Sequence, residues 1–180
     1  MSPHVILAGF MGTGKTSVGR RVAQALGRTF VDTDALVESS AGQSVAEVFA
    51  TEGEARFRER EREAVRQACA MPDAVIAIGG GALGDAESRR RLVAAGPVIC
   101  LQAEPEDILR RVGDASSRPL LAGVPGESED DARARRLGAI RALLDERAAT
   151  YALASHQLDT SGLSVDEVAE RVCALVGAER

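Results

Sequence analysis

The sequence predicts a three-layer α/β domain, in which a parallel β-sheet is covered by helices on both faces. Short apolar runs alternate with longer amphipathic segments along the whole chain. The runs are continuously apolar rather than alternating, which is the pattern of strands buried on both sides. The chain has 180 residues, 45% hydrophobic and 27% charged, enough for one buried core, so a single domain is expected over residues 1–180.

The elements follow in order. A first strand is expected at 5–8, where Val5-Ile6-Leu7-Ala8 precedes a glycine-rich turn, and the helical pattern of 15–26 follows that turn. A second strand at 29–31 ends in Asp32-Thr33-Asp34 and leads to a short helix at 34–40. Ser44 with Glu47 three residues later forms a capping box that opens a long charged helix over 44–70. The strand at 74–78 runs into Gly79-Gly80-Gly81, and a helix at 86–95 precedes the strand at 98–101. Helices at 105–112 and 131–154 flank a stretch rich in glycine, proline and acid. A last strand at 157–159 and a helix at 164–176, opened by the capping box Ser164 and Glu167, close the chain.

Totals exclude several classes of function. A net charge of -5 argues against a nucleic-acid partner, which needs clustered Lys and Arg on a basic background. Cys69, Cys100 and Cys173 are scattered, odd in number and lack metal-ligand spacing, so they read as small reduced core residues. No apolar stretch reaches the roughly 18 residues of a membrane span, and the chain does not open on a signal-peptide pattern. A cytoplasmic protein without membrane partners is expected.

Residues 9–16 read Gly-Phe-Met-Gly-Thr-Gly-Lys-Thr, a complete Gly-x-x-x-x-Gly-Lys-Thr phosphate-binding loop between an apolar strand and a helix. In such a loop backbone N–H groups wrap a polyphosphate, Lys15 reaches its terminal oxygens and the Thr16 hydroxyl is placed to ligate magnesium. The dipole of the following helix adds positive potential at the same point. The only lysine in the chain is this one, all other basic residues apart from two histidines being arginine.

Three further features gather round the loop. Asp32 and Asp34 point to one side of an extended segment at the carboxyl end of a strand, where open parallel sheets bind ligands. Two such carboxylates repel unless a cation neutralises one, so Asp32 near magnesium and Asp34 on a substrate hydroxyl is one reading; an Asx turn with Asp34 as a helix cap is the other. Gly79-Gly80-Gly81 suggests close approach of a ligand to backbone N–H groups, or a hinge. Arg58, by composition alone, belongs to a solvated face with an i,i+4 partner in Glu54. The segment 122–131 is a surface loop, read either as a lid that excludes water or as a plain solvated loop.

With residues 9–16, Asp32-Thr33-Asp34, Phe57-Arg58-x-x-Glu61, Gly79-Gly80-Gly81, Arg118-Pro119-Leu120-Leu121 and Glu146-Arg147-x-x-x-Tyr151 in this order, the chain resembles the shikimate kinases. The resemblance implies a P-loop kinase fold with a five-stranded parallel sheet of order 2-3-1-4-5, a shikimate-binding region at about 34–61 and a lid at about 113–131. It implies Mg2+-dependent transfer of the γ-phosphoryl group of ATP to the 3-hydroxyl of shikimate, in a monomer. Lys15, Asp34 and Arg118 would be catalytic, with Arg118 offsetting charge on the transferred group. Gly12, Thr13, Gly14, Lys15, Thr16 and Ser17, together with Arg111 and Arg118, would bind nucleotide, and the stretch 160–164 would face the far edge of the adenine. Thr16 and Asp32 would serve the metal. Arg58 and Arg147 would hold the substrate carboxylate, Glu61 would buttress Arg58, Gly80 and Gly81 would meet ring hydroxyls, and Phe49 and Phe57 would wall the ring.

One departure from the family is the acidic insert at 123–131, which lengthens the lid region and leaves Arg133, Arg135, Arg136 and Arg141 competing with Arg147 for the second carboxylate site. Other readings are another small-molecule kinase, such as a gluconate kinase, and a nucleotide switch without turnover.

Overall fold

The computed structural model describes residues 3–112 and 128–178. Its elements are β1 (Val5–Gly9), α1 (Lys15–Leu26), β2 (Thr29–Asp32), α2 (Thr33–Ala41), α3 (Val45–Ala70), β3 (Ala74–Ala77), α4 (Ala86–Ala95), β4 (Val98–Gln102), α5 (Pro105–Val112), α6 (Glu129–Tyr151), β5 (His156–Asp159) and α7 (Val165–Ala178). A short 3-10 turn, Ala82–Gly84, follows β3. The strands form one parallel sheet in the order β2-β3-β1-β4-β5, as expected.

Alternate residues of the central strands feed opposite cores. Ile6, Ala8, Ile76 and Cys100 pack on one face against Val65 and Ala68 of α3, Leu92 of α4, Ile108 of α5 and Ile140 of α6. Val5, Leu7, Val75, Ile99 and Leu101 pack on the other against Val18 and Val22 of α1 and Val168 and Val172 of α7. Burial on both sides is why these strands read as unbroken apolar runs. A separate small cluster of Val37, Val48, Phe57 and Ala64 joins α2 to α3 beyond the sheet.

Each strand differs from expectation by one residue at one end, and two helices have displaced boundaries with an identifiable cause. Helix α2 begins at Thr33, because Asp32 accepts the N–H of Asp34 at 3.0 Å and so caps it; the cap is Asp32, not Asp34. Helix α6 begins at Glu129 and ends at Tyr151, rather than spanning 131–154. Ser128 caps it by accepting the Asp131 N–H, and Glu129, Asp130 and Asp131 lie in the first turn, where the helix dipole favours acid. The end of the acidic insert is therefore helical, while Arg118 and the remainder of the lid lie outside the described residues.

Helix α3, expected to be continuous, is broken at Gly53, whose φ of 80° and ψ of 172° only glycine adopts readily. No atom stands within 4 Å of where its β-carbon would be, so the need there is conformational, not spatial. Glu52 spans the break by accepting two bonds from Arg60, each 3.0 Å. The capping box of Ser44 and Glu47 forms as predicted.

At the amino edge of the sheet, away from the phosphate loop, His4 and Gly96 lock β1 to the start of β4. A β-carbon on Gly96 would lie 2.1 Å from the His4 carbonyl oxygen, a rigid backbone atom. Gly96→Ala is expected to destabilise the fold by about 1–3 kcal/mol, read as a lower urea midpoint. Turnover per folded molecule should stay unchanged, since the substitution is remote from the carboxyl edge.

Candidate active site

The carboxyl ends of β1, β2 and β3 open into a cavity of about 1300 Å³. Many of the described residues singled out in the sequence line it: positions 12–17 of the loop and helix α1, Asp32, Asp34, Phe49, Phe57, Arg58, Glu61, Gly80, Gly81, Arg111 and Arg147. Among the described residues its arginines are Arg58, Arg111 and Arg147. Arg141 instead pairs with Glu106 at 2.6 Å on the surface, and Arg133, Arg135 and Arg136 do not line the cavity. Of the five competing arginines, Arg147 therefore stands nearest the role proposed from sequence.

The loop owes its shape to glycine. Gly12 and Gly14 have φ of 77° and 96°, and Gly14 precedes α1 with no side chain capping that helix. The first-turn amides of α1 are thus available to an anion. Lys15 Nζ donates to the carbonyls of Gly9 at 2.9 Å and Phe10 at 3.1 Å, which holds the ammonium at the mouth of the loop. A β-carbon on Gly12 would come within 2.8 Å of Val112 Cγ2, so α5 packs directly on the loop. That contact carries Arg111 to the cavity, where its guanidinium donates to the Thr160 hydroxyl and carbonyl at 3.1 Å each. Arg111 and the 160–164 stretch thereby form one wall.

Asp32 does two jobs. One oxygen caps α2; the other accepts from the Thr16 hydroxyl at 3.0 Å. This pairing of one carboxylate with one hydroxyl is an all-oxygen donor set, suited to magnesium that keeps several waters and takes its remaining ligands from phosphate. Asp34 lies deeper. Burial, then the neighbouring charge of Asp32, raises its pKa to about 6, Glu61 and Glu38 adding to the rise and Lys15 opposing it.

The three glycines after β3 turn out to serve space rather than backbone freedom. None has a positive φ, and the Gly79 N–H is already taken by the Thr33 hydroxyl at 3.0 Å. A β-carbon on Gly79 would meet Asp34 Oδ1 at 2.7 Å and Glu61 Oε1 at 2.8 Å. On Gly80 it would meet Arg147 Nη1 at 2.8 Å, and on Gly81 Arg58 Nη1 at 2.3 Å. Four charged side chains therefore rest on a bare strip of backbone, a reason neither the hinge nor the N–H cradle reading had supplied.

Arg58 makes ion pairs on two sides. It donates to Glu54 at 3.3 Å on the outer side and to Glu61 at 2.8 Å on the inner, and Glu61 is only 3% exposed. Burial pushes the Glu61 carboxyl up and the Arg58 bond pulls it back. Phe49 and Phe57 meet with ring centroids 4.3 Å apart, and both line the cavity. Sequence reasoning missed Glu38, which lines the cavity beside Asp34, and Phe10, whose ring faces Arg147; Glu38 carried a signal in its i,i+4 spacing from Asp34.

Because Asp34 has a folded-state pKa of about 6 against an ordinary 3.8, the native state holds its proton more tightly than the unfolded chain. Stability from this group is present below about pH 4 and lost as pH rises through 6. Asp34→Asn is expected to raise stability above pH 7 by up to about 3 kcal/mol, with the gain fading near pH 4. Denaturant melts at pH 4 and pH 8 read this directly; an equal effect at both would exclude a strained carboxylate.

The family model for shikimate kinase matches residues 11–176. A shikimate kinase of Pelotomaculum thermopropionicum is 42% identical over 169 residues, covering 94% of this chain and 92% of that protein. One from Caldanaerobacter subterraneus subsp. tengcongensis is 44% identical over 169 residues, covering 94% and 93%. Among solved structures, the shikimate kinase of Acinetobacter baumannii in complex with shikimate superposes with a TM-score of 0.88 at 31% identity, covering 100% of this chain and 96% of that one. A gluconokinase of Sinorhizobium meliloti, at 16% identity and a TM-score of 0.58, shares the fold alone. Motif order, sheet order and these likenesses agree, and the chain belongs to the shikimate kinase family.

Proposed function

We propose that the protein transfers the γ-phosphoryl group of ATP to the 3-hydroxyl of shikimate, forming ADP and shikimate 3-phosphate in aromatic amino-acid biosynthesis. The observation that carries this reading is the meeting, in one cavity, of a phosphate loop with Arg58 and Arg147 set on adjacent glycines. A polyphosphate and a carboxylate would thus each find a partner in the same cavity. As a family member the protein is a kinase using ATP as co-substrate.

Residue roles follow from the chemistry. Positions 12–17 would wrap the phosphates, with Lys15 at the β- and γ-groups, and Arg111 would stack on the adenine against 160–164. Thr16 and Asp32 would hold Mg2+, which when bound neutralises charge on the phosphate oxygens. Arg58 and Arg147 would clamp the substrate carboxylate by directional, charge-assisted bonds, and Phe49 and Phe57 would cover the ring. Glu61 would keep Arg58 in place, while Gly80 and Gly81 let the ring approach the backbone. Asp34 would then accept a hydrogen bond from the attacking hydroxyl. Phosphoryl transfer asks mainly for positioning and charge stabilisation, so this alignment would supply most of the acceleration. Arg118, outside the described residues, would offset charge on the transferred group from the lid at about 113–131. We place the protein in the cytoplasm as a monomer of one domain. No helix among the described residues is long and apolar enough to cross a membrane.

The test is a coupled ADP-release assay with ATP, Mg2+ and shikimate, run in parallel with gluconate. Turnover of shikimate alone supports the reading. Turnover of gluconate, or ATP binding without ADP release, replaces it. In the same assay kcat/KM for shikimate should rise with pH and level off above about 6, as Asp34 ionises in the free enzyme. A profile that stays flat down to pH 5 would remove the Asp34 carboxylate from the reaction.

A further inference from the structure

We infer that Phe10 and Tyr151 are positioning residues that aim Arg147 at the substrate carboxylate. This deepens the proposed function and rests on its assignment of Arg147.

The two arginines of the clamp are supported differently. Arg58 is fixed by a buried carboxylate, Glu61, at 2.8 Å. Among the described residues, the groups that touch Arg147 are neutral, and the buried carboxylate of Glu61 acts on it through charge alone. Its guanidinium carbon lies 5.5 Å from the centre of the Phe10 ring, within range of a cation–π contact. Tyr151 stands one helical turn further along α6 and so on the same face, near enough for the guanidinium charge to act on its hydroxyl. The Tyr151 hydroxyl in turn donates to the Gly80 carbonyl at 3.3 Å. A β-carbon on Gly80 would sit 2.8 Å from Arg147 Nη1 and 3.5 Å from the Tyr151 hydroxyl, so the three groups meet at one point of the backbone.

Neutral supports restrict a cation without neutralising it, which leaves its charge for an incoming anion. Phe10 and Tyr151 are 1% and 6% exposed, and both also line a separate cavity of about 590 Å³. Arg147 lines the larger cavity and not this one. Removing the ring or the hydroxyl gives the guanidinium room to settle away from the carboxylate position. Since Phe10 belongs to the phosphate loop, one loop both surrounds the nucleotide and backs the substrate clamp.

Steady-state kinetics of Tyr151→Phe and Phe10→Leu, alone and combined with Arg147→Ala, test the inference. Tyr151→Phe should raise KM for shikimate about fivefold to tenfold, leaving kcat, KM for ATP and the melting temperature nearly unchanged. Preference for shikimate over its methyl ester should fall in the same variant, and in the Arg147→Ala background the second substitution should add nothing. Phe10→Leu should raise KM for shikimate to a similar extent, with a lower melting temperature because a buried ring is truncated. Unchanged KM for shikimate in Tyr151→Phe, or an equal loss with Arg147 already absent, overturns the positioning role. Wild-type protein that leaves shikimate untouched would instead overturn the functional reading, and this inference with it.

Discussion

The site depends on the absence of side chains at three consecutive positions. Gly79, Gly80 and Gly81 leave a strip of backbone on which Asp34, Glu61, Arg147 and Arg58 lie closer than any β-carbon would permit. Like and unlike charges are thereby packed together at the end of β3, out of bulk water. The elevated Asp34 carboxyl is one outcome, and the compensation of buried Glu61 by Arg58 another. Crowding of this kind opposes folding, and it sets the protonation of Asp34.

Around that strip, single contacts serve both fold and chemistry. Asp32 caps α2 with one oxygen and engages Thr16 with the other, so the start of the helix bearing Asp34 is tied to the phosphate loop. Gly12 accepts Val112 of α5 against the loop, and α5 brings Arg111 to the 160–164 stretch. Phe10 in the same loop faces Arg147 of α6. The phosphate loop is in this way the hub from which both arginine-bearing helices beyond β4 take their bearing. The other clamp arginine, Arg58, follows the Gly53 break in α3, where Glu52 and Arg60 hold the two helical parts together.

Much of this was legible from the chain. Continuous apolar runs announced strands buried on both faces, and the loop at 9–16 announced a polyphosphate. Ser44 and Ser164 marked helix starts because a capping box is local, contained in four residues. What stayed hidden was non-local. The glycines at 79–81 were singled out, but their purpose lies in side chains arriving from α2, α3 and α6, which no window around position 80 contains. Nothing near Phe10 in the sequence marks its ring, for the same reason. Ser128 and the acids behind it resembled a solvated loop, since a lone N-cap in polar surroundings gives little periodic signal. Gly53 sat within a pattern otherwise helical, and one glycine there is tolerated often enough to be passed over.

The claim that space at the end of β3 builds the substrate site is open to a direct measurement: calorimetric titration of shikimate into Gly81→Ala, with Gly84→Ala as its neighbour control. A β-carbon at 81 would strike the mobile end of Arg58, whereas one at 84 would meet nothing within 4 Å. The account predicts a dissociation constant raised at least about tenfold for Gly81→Ala, equivalent to about 1.4 kcal/mol, with a near-native melt, and no change for Gly84→Ala. Binding by Gly81→Ala as tight as that of the unaltered protein would contradict it.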